Sequence, residues 1–569
     1  MAELNPRTRA RLFARLAFLY GEERARTVLP RLVEKLQRFV REHPTLARGP
    51  RALATSPGEV WLITYGDQVR REGEPPLATL ADFLDRWLAP GFRGVHLLPI
   101  YPYSSDDGFS VIDYHAVDPR LGDWSHVRAL ARRYTLMLDA VLNHASAESV
   151  WFQGFLRCEE PYRRYFLVPP EDWDLSRVVR PRTTPLLTEF RTACGTKKVW
   201  TTFSADQVDL DYREPEVLLE AVGVLLHYLA EGARRLRLDA VGFLWKAPGT
   251  SCLHLPQTHE IVRLFRDVLD AVAPEAALVT ETNVPHAENV AYFGSGEDEA
   301  QLVYNFALPP LVLHAFARGD AAALTRWTAD MERPGPKAAF LNFLASHDGI
   351  GLRPLEGLLR PEEVAFLVER TLAHGGEVSY RDTPAGPAPY ELNTTWYDAL
   401  NPPGTPEALG VRRLLASHAI MLALAGLPAI YVHALLGTPN WREGYERTGE
   451  KRKLNRRKFR WDELEAALAD PSTRASRLLH GLQERIALRS RHAAFHPTAP
   501  QRVLDLGTGV FAVEREAGAE RALVLVNVSA AAQRAAVGPG WRDLRTGAPV
   551  GDELVLEPYA DLWLTWGEA

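Results

Sequence analysis

The 569-residue sequence sets polar side chains at the ends of several apolar runs, and their types are those of acid–base chemistry. Asp139, Asn143 and His144 close the run in DAVLNH. Arg237 and Asp239 stand in RLDAVGF, Glu281 in LVTETN, and His347 and Asp348 in FLASHDG. Asp106, Asp107 and Phe109 fall in SSDDGFSVIDY, after an earlier run. A charge removed from water is costly unless it is paired. Arg237 and Asp239 lie two apart, on one face of a strand. They read either as an internal ion pair or as a nucleophilic carboxylate held ionised by its arginine, and spacing alone leaves both open. Paired carboxylates suit glycosidic-bond chemistry. One stays ionised to attack the anomeric carbon, while the other keeps a proton for the leaving oxygen. Arg237 should lower the pKa of Asp239, and the apolar neighbours Leu278 and Val279 should raise that of Glu281. Other polar residues have plainer readings. Asp139 supports the strand end, Asp107 caps a turn, Trp245 and Lys246 pack, and His115 and His259 are structural.

The elements that must position these groups follow from periodicity. Residues 59–66, 94–100, 135–144, 236–239, 277–283, 301–306, 338–348 and 427–437 read as short buried strands. Helical patterns separate several of them, as in 79–90, the run from Asp123 to Tyr134, and the runs that begin at Pro215 and Thr258. This alternation predicts an α/β fold, a (β/α)8 TIM barrel, whose functional residues gather at the C-terminal strand ends. We expect a helical N-terminal extension at 1–57 and barrel segments at 58–144, 210–348 and 406–495. Insertions rich in Pro and Arg or Gly fill 145–209 and 349–405, and a small antiparallel β domain takes 496–569.

Composition narrows the function classes. A formal net charge of −6 argues against a general binder of nucleic acid or anionic membranes. No run of about 18 apolar residues suggests a membrane span, and the N-terminal stretch lacks the apolar core of a signal peptide. Cys158, Cys194 and Cys252 are too few and too widely spaced for a zinc site or a disulfide framework, so free thiols and a reducing cytoplasm are expected. No dedicated set of oxygen ligands suggests calcium, and neither a metal nor a cofactor is expected.

With these motifs in view, the chain resembles the α-amylase superfamily, glycoside hydrolase family 13. DAVLNH, RLDAVGF, TETN and ASHDG stand in the order of its four signature regions. SSDDGFSVIDYHAVDPRLGDW, WTTFSADQVDLD, NFALPPLVLHAF, YELN and LLGTPNW resemble its sucrose-phosphorylase subfamily over roughly 58–569. The resemblance implies a retaining α-glucoside phosphorylase, a hexosyltransferase that gives α-glucose 1-phosphate, with the two insertions as B- and B′-type domains. It implies Asp239 as nucleophile, Glu281 as general acid/base and Asp348 as the carboxylate that holds sugar hydroxyls at the transition state. It further implies Asp106, Phe109, His144, Phe203, Gln207, Arg237, His347, Tyr390 and Arg456 as substrate-binding residues, with Arg182 and Tyr390 toward phosphate. Arg180 and Arg182, in RVVRPRTTPLL, also read as an exposed loop face.

The chain departs from the sucrose-specific pattern in GPAPYELN, where Ala388 stands in place of an aspartate two residues before the tyrosine. The N-terminal extension, SCLHLPQTHE, ETNVPH and YVHALLGTPNW resemble the glucosylglycerate phosphorylases instead. The expected substrates are a small α-glucoside, foremost 2-O-α-D-glucosyl-D-glycerate, and inorganic phosphate. Arg180, Arg182 or Lys246 would meet the acceptor's carboxylate. Sucrose 6′-phosphate, sucrose and glucosylglycerol remain open as substrates. Two other readings are a hydrolase or transglucosidase and a silent amylase-fold binding protein, the latter contradicted by the complete set of carboxylates. The expected form is a monomer or homodimer.

Overall fold

The structure, a computed structural model, describes residues 4–567 apart from 51, 52, 54 and 90, so the extension is described from residue 4 and the C-terminal domain to residue 567. Eight short parallel strands follow one another around a closed barrel: β1 (Trp61–Thr64), β2 (Gly94–Leu97), β3 (Thr135–Ala140), β4 (Ala233–Leu238), β5 (Ala277–Thr280), β6 (Leu302–Tyr304), β7 (Ala339–Asn342) and β8 (Leu427–Tyr431). Each pairs with its neighbours in sequence, and β8 closes on β1 with Trp61 beside Ala429. Helices cover the outer face and side chains fill the interior, so the strands read as unbroken apolar runs. Closure is tight at β1–β2. A Cβ on Gly94 would lie 2.2 Å from the indole of Trp61, so only glycine fits there.

The strands stop sooner than their apolar runs. The run at 277–283 ends as a strand at Thr280, and that at 427–437 ends at Tyr431 before a helical turn at Val432–Leu435.

Two N-terminal helices, α1 (Pro6–Tyr20) and α2 (Glu22–Glu42), bury an apolar stripe that includes Leu12, Leu16, Leu32 and Leu36. They lie on α3 (Pro215–Ala230) and α4 (Pro256–Val272), the helices on either side of β4 in the chain. Arg11 pairs with Asp267 at 2.7 Å and Arg15 with Glu260 at 3.0 Å, while the Tyr20 hydroxyl donates to the Tyr212 carbonyl. At the other end, a five-stranded antiparallel sheet begins at Gln501. Its buried Arg515 donates to the Ala423 and His496 carbonyls and ties the sheet to the barrel.

The cysteines correct an expectation. Cys158 and Cys194 are joined in a disulfide that spans 36 residues, and only Cys252 is free, buried. The helix Val150–Leu156 and the hairpin Leu187–Thr192/Gly195–Trp200 bring them together. Sequence spacing carried no trace of this because the intervening segment has no regular period.

Candidate active site

The register of three strands assembles the charged centre. Asp139 on β3 and Val279 on β5 flank Arg237 on β4, so the residues just beyond the strand ends, Asp239 and Glu281, fall side by side. Arg237 is almost wholly buried, and its guanidinium bonds Asp139 and donates from Nη1 to Asp239 Oδ1 at 2.9 Å. Nη2 lies 3.9 Å from Glu281 Oε2. His96 Nε2 holds the other oxygen of Asp139 at 2.7 Å. Ala240 takes a left-handed backbone with φ +48°, an uncommon conformation for a residue with a Cβ. Its N–H donates to Glu281 Oε2 at 3.1 Å, so this turn links the two carboxyls.

Burial raises Asp239 to about 7, and it outweighs Arg237 because Asp139 and Asp348 add negative charge nearby. Glu281 is raised to about 7 as well, by burial against the same arginine. Arg237 does lower Asp239 as expected, but it is shared, Asp139 takes its closest contact, and burial with the nearby carboxylates outweighs it. Arg237 lies nearer to Asp239 than to Glu281, which favours the charge on Asp239 over Glu281. Asp348 differs. Burial works to raise it, but Arg452 at 2.7 Å, Arg456 and Arg237 together hold it below the usual carboxylate range.

These carboxyls open on one cavity of about 750 Å³ at the C-terminal ends of the strands. Asp106, Phe109, His144, Arg182, Phe203, Gln207, His347 and Tyr390 line it with Asp239, Glu281 and Asp348. Arg237 and Arg456 stand behind the lining. Arg456 pairs with Asp106 at 3.1 Å and with Asp107 at 2.9 Å, while Lys453 bonds Asp107 at 2.6 Å. Asp107 thus joins an ion cluster in addition to turning the chain. The His347 ring stacks on Phe109 at 4.6 Å, and burial beside Arg456 and Arg237 pushes its pKa well down, so the imidazole is neutral. Burial also lowers His144, whose Nε2 lies 2.9 Å from the Phe109 carbonyl. Gln207 donates to that same carbonyl. A flat apolar ring face beside polar edges suits a pyranose.

Several arginines also line the cavity. Arg182 stands over the Phe203 ring at 5.7 Å and over the Tyr390 ring at 5.4 Å. Its hydrogen bond goes to the Pro181 carbonyl, and it makes no ion pair among the described residues. Arg180 lines the same cavity with a buried Nε that has no hydrogen-bond partner. The two are half-buried, not the exposed loop face that their surroundings in the sequence also allowed. Lys246 is corrected as an acceptor cation. It is buried away from the cavity, and its ammonium bonds Asp209 at 2.7 Å and the Asn143 side chain at 3.0 Å. Sequence reasoning missed Arg353, Arg381, Arg452 and Asn283, which also line the cavity. Arg452 carried a signal, since it stands four residues before Arg456. Arg353 and Arg381 carried none, being set in an insertion with no clear period in the sequence. Among the described residues no group of three or more His, Cys, Asp or Glu side chains is placed to hold a metal ion. No described helix is long and apolar enough to cross a membrane.

Comparison with known proteins agrees with this geometry. Residues 79–349 match the alpha-amylase family, described as "Alpha amylase, catalytic domain". The chain is 50% identical to the glucosylglycerate phosphorylase of Allomeiothermus silvanus over 566 residues, covering 99% of this chain and 100% of that protein. It is 32% identical to the sucrose phosphorylase of Agrobacterium vitis, over 79% of this chain and 91% of that one. The crystal structure of sucrose 6F-phosphate phosphorylase from Thermoanaerobacter thermosaccharolyticum superposes with a TM-score of 0.74 at 26% identity, covering 84% of this chain and 96% of that chain.

Proposed function

This chain belongs to the α-amylase family, in its sucrose-phosphorylase-like branch, and from that premise we propose that it is a retaining phosphorylase of 2-O-α-D-glucosyl-D-glycerate. One observation carries the reading. Two carboxyls share a single buried guanidinium at the barrel mouth, and several arginines line the same cavity. Asp239 attacks the anomeric carbon while Glu281 gives its proton to the glycosidic oxygen, so glycerate departs and a β-glucosyl ester of Asp239 remains. Phosphate then enters on Arg182. Glu281, now ionised, takes its proton, a phosphate oxygen attacks the anomeric carbon, and Asp239 leaves as the carboxylate. The product is α-D-glucose 1-phosphate with its configuration retained. Asp348, kept ionised by Arg452 and Arg456, holds ring hydroxyls and favours the positive charge that develops on the sugar. Asp106, held from behind by Arg456, grips the far end of the ring. The A. silvanus relative's name and the arginines lining the cavity support glycerate as the acceptor.

The test is an acceptor panel. The protein is given α-glucose 1-phosphate with D-glycerate, fructose, fructose 6-phosphate or glycerol, and phosphate release is followed. Release fastest with D-glycerate supports the reading. Release only with another acceptor moves the substrate, and release with none rejects phosphorolysis.

A further inference from the structure

Several arginines line the cavity, and the two anions of the proposed reaction carry their charge at different distances from the reacting oxygen. In phosphate, the attacking oxygen and the charged oxygens sit on one phosphorus atom. In glycerate, the accepting hydroxyl is on C2 and the carboxylate is one carbon further out. Two cation sets at two distances from the anomeric carbon would therefore serve the two substrates separately.

Arg182 stands over the Tyr390 ring at 5.4 Å, and its charge is felt by Asp348. A second pair of arginines comes from the second insertion. Arg353 lies just past the strand Ile350–Gly351, and Arg381 ends the strand Glu377–Arg381. Both line the cavity, and both donate to one oxygen of Glu356, from Arg353 Nε at 3.4 Å and Arg381 Nη2 at 3.1 Å. The cations face inward and the anion outward, with side-chain exposures of 11% and 21% against 45%. Two guanidiniums share one carboxylate, which leaves a positive surplus. Glu288, another acid that Arg353 acts on, is held by His254 at 3.4 Å. Arg381 Nε is buried with no hydrogen-bond partner, and Arg353 gives Glu356 only its Nε. Planar, unspent N–H groups of this kind match a carboxylate.

We propose that Arg353 and Arg381, bridged by Glu356, hold the acceptor's carboxylate and select an acidic acceptor, while phosphate is left to Arg182. This rests on the phosphorylase reading above. The experiment compares Arg353→Gln, Arg381→Gln and the double variant with the parent enzyme, and adds Arg353→Lys as a variant that keeps the charge. KM is measured for D-glycerate and glycerol in synthesis, and for phosphate in phosphorolysis. Loss of a charge-assisted hydrogen bond should raise KM for D-glycerate about tenfold or more in each Gln variant, with a smaller rise in Arg353→Lys. The preference for D-glycerate over glycerol should shrink in step, and KM for phosphate should move less than about twofold. An unchanged KM for D-glycerate in the single variants overturns the proposal, and these decide the matter if the double variant does not fold. An equal rise for phosphate overturns it too, since the arginines would then form one common anion site. A parent enzyme that releases no phosphate with D-glycerate fails the functional reading instead, before any variant is compared.

Discussion

Asp239 and Glu281 must hold opposite protonation states in one buried environment, and the unequal reach of Arg237 favours the charge on Asp239. Asp239→Asn should lower kcat by about three orders of magnitude or more, measured on α-glucose 1-phosphate, because no glucosyl ester can form. The pH dependence follows from Glu281. Its folded pKa is raised from 4.5 to about 7, and its acid form is needed to release the acceptor, so glucoside cleavage should decline as pH rises through about 7. Stability has the same sign. A raised carboxyl pKa favours the neutral form, so this contribution is complete below about pH 4.5 and is lost as pH climbs through about 7. Glu281→Gln should therefore melt above the parent at about pH 8, by up to about 3 kcal/mol in stability, and match it near pH 4. At this scale the sequence was legible where charge interrupts a buried run. Asp239, Glu281 and Asp348 stand out because nothing in a strand needs them. The upward pull on the pKa of Asp239 was not legible, since part of it comes from Asp139 and Asp348, which only the folded barrel brings near. Arg353 and Arg381 were hidden because the short strands and turns of the second insertion show no clear period in the sequence.

Among the elements, the turn after β4 concentrates the constraints. It carries Asp239, the left-handed Ala240 and, a few residues later, the buried ammonium of Lys246. Asp209 takes that ammonium together with the Thr202 hydroxyl and the Asn143 amide, so Lys246 neutralises a carboxylate that has no access to water. Lys246→Met should cost about 3–5 kcal/mol, read as an earlier urea midpoint, because Asp209 would stay buried with its charge uncompensated. The β/α alternation was legible because parallel strands buried on both faces leave short apolar runs between amphipathic helices. The link between Cys158 and Cys194 was not, for it depends on a hairpin with no period of its own. A thiol titration in denaturant without reductant should find a single reactive cysteine, Cys252. Three would mean that the pair is reduced.

For the whole molecule, the N-terminal helices and the β4 unit form one packed body. Tyr20 lies against Trp245, with ring centroids 6.3 Å apart, and so braces the segment that follows Asp239. Tyr20→Ala should lower stability by about 3 kcal/mol, seen as a lower melting temperature. The helical period of residues 1–55 was readable in the sequence, whereas the surface the helices cover was not, because an apolar stripe does not name its partner. That partner lies far along the chain, since the bonds of Arg11 and Arg15 to α4 span 256 and 245 residues. During synthesis on the ribosome the first two helices emerge with Leu12, Leu16, Leu32 and Leu36 uncovered. They must wait for nearly half the polypeptide before their seat exists. The unit that carries Asp239 is thus completed by helices made well before it, which leaves a long interval in which a chaperone has a greasy surface to hold.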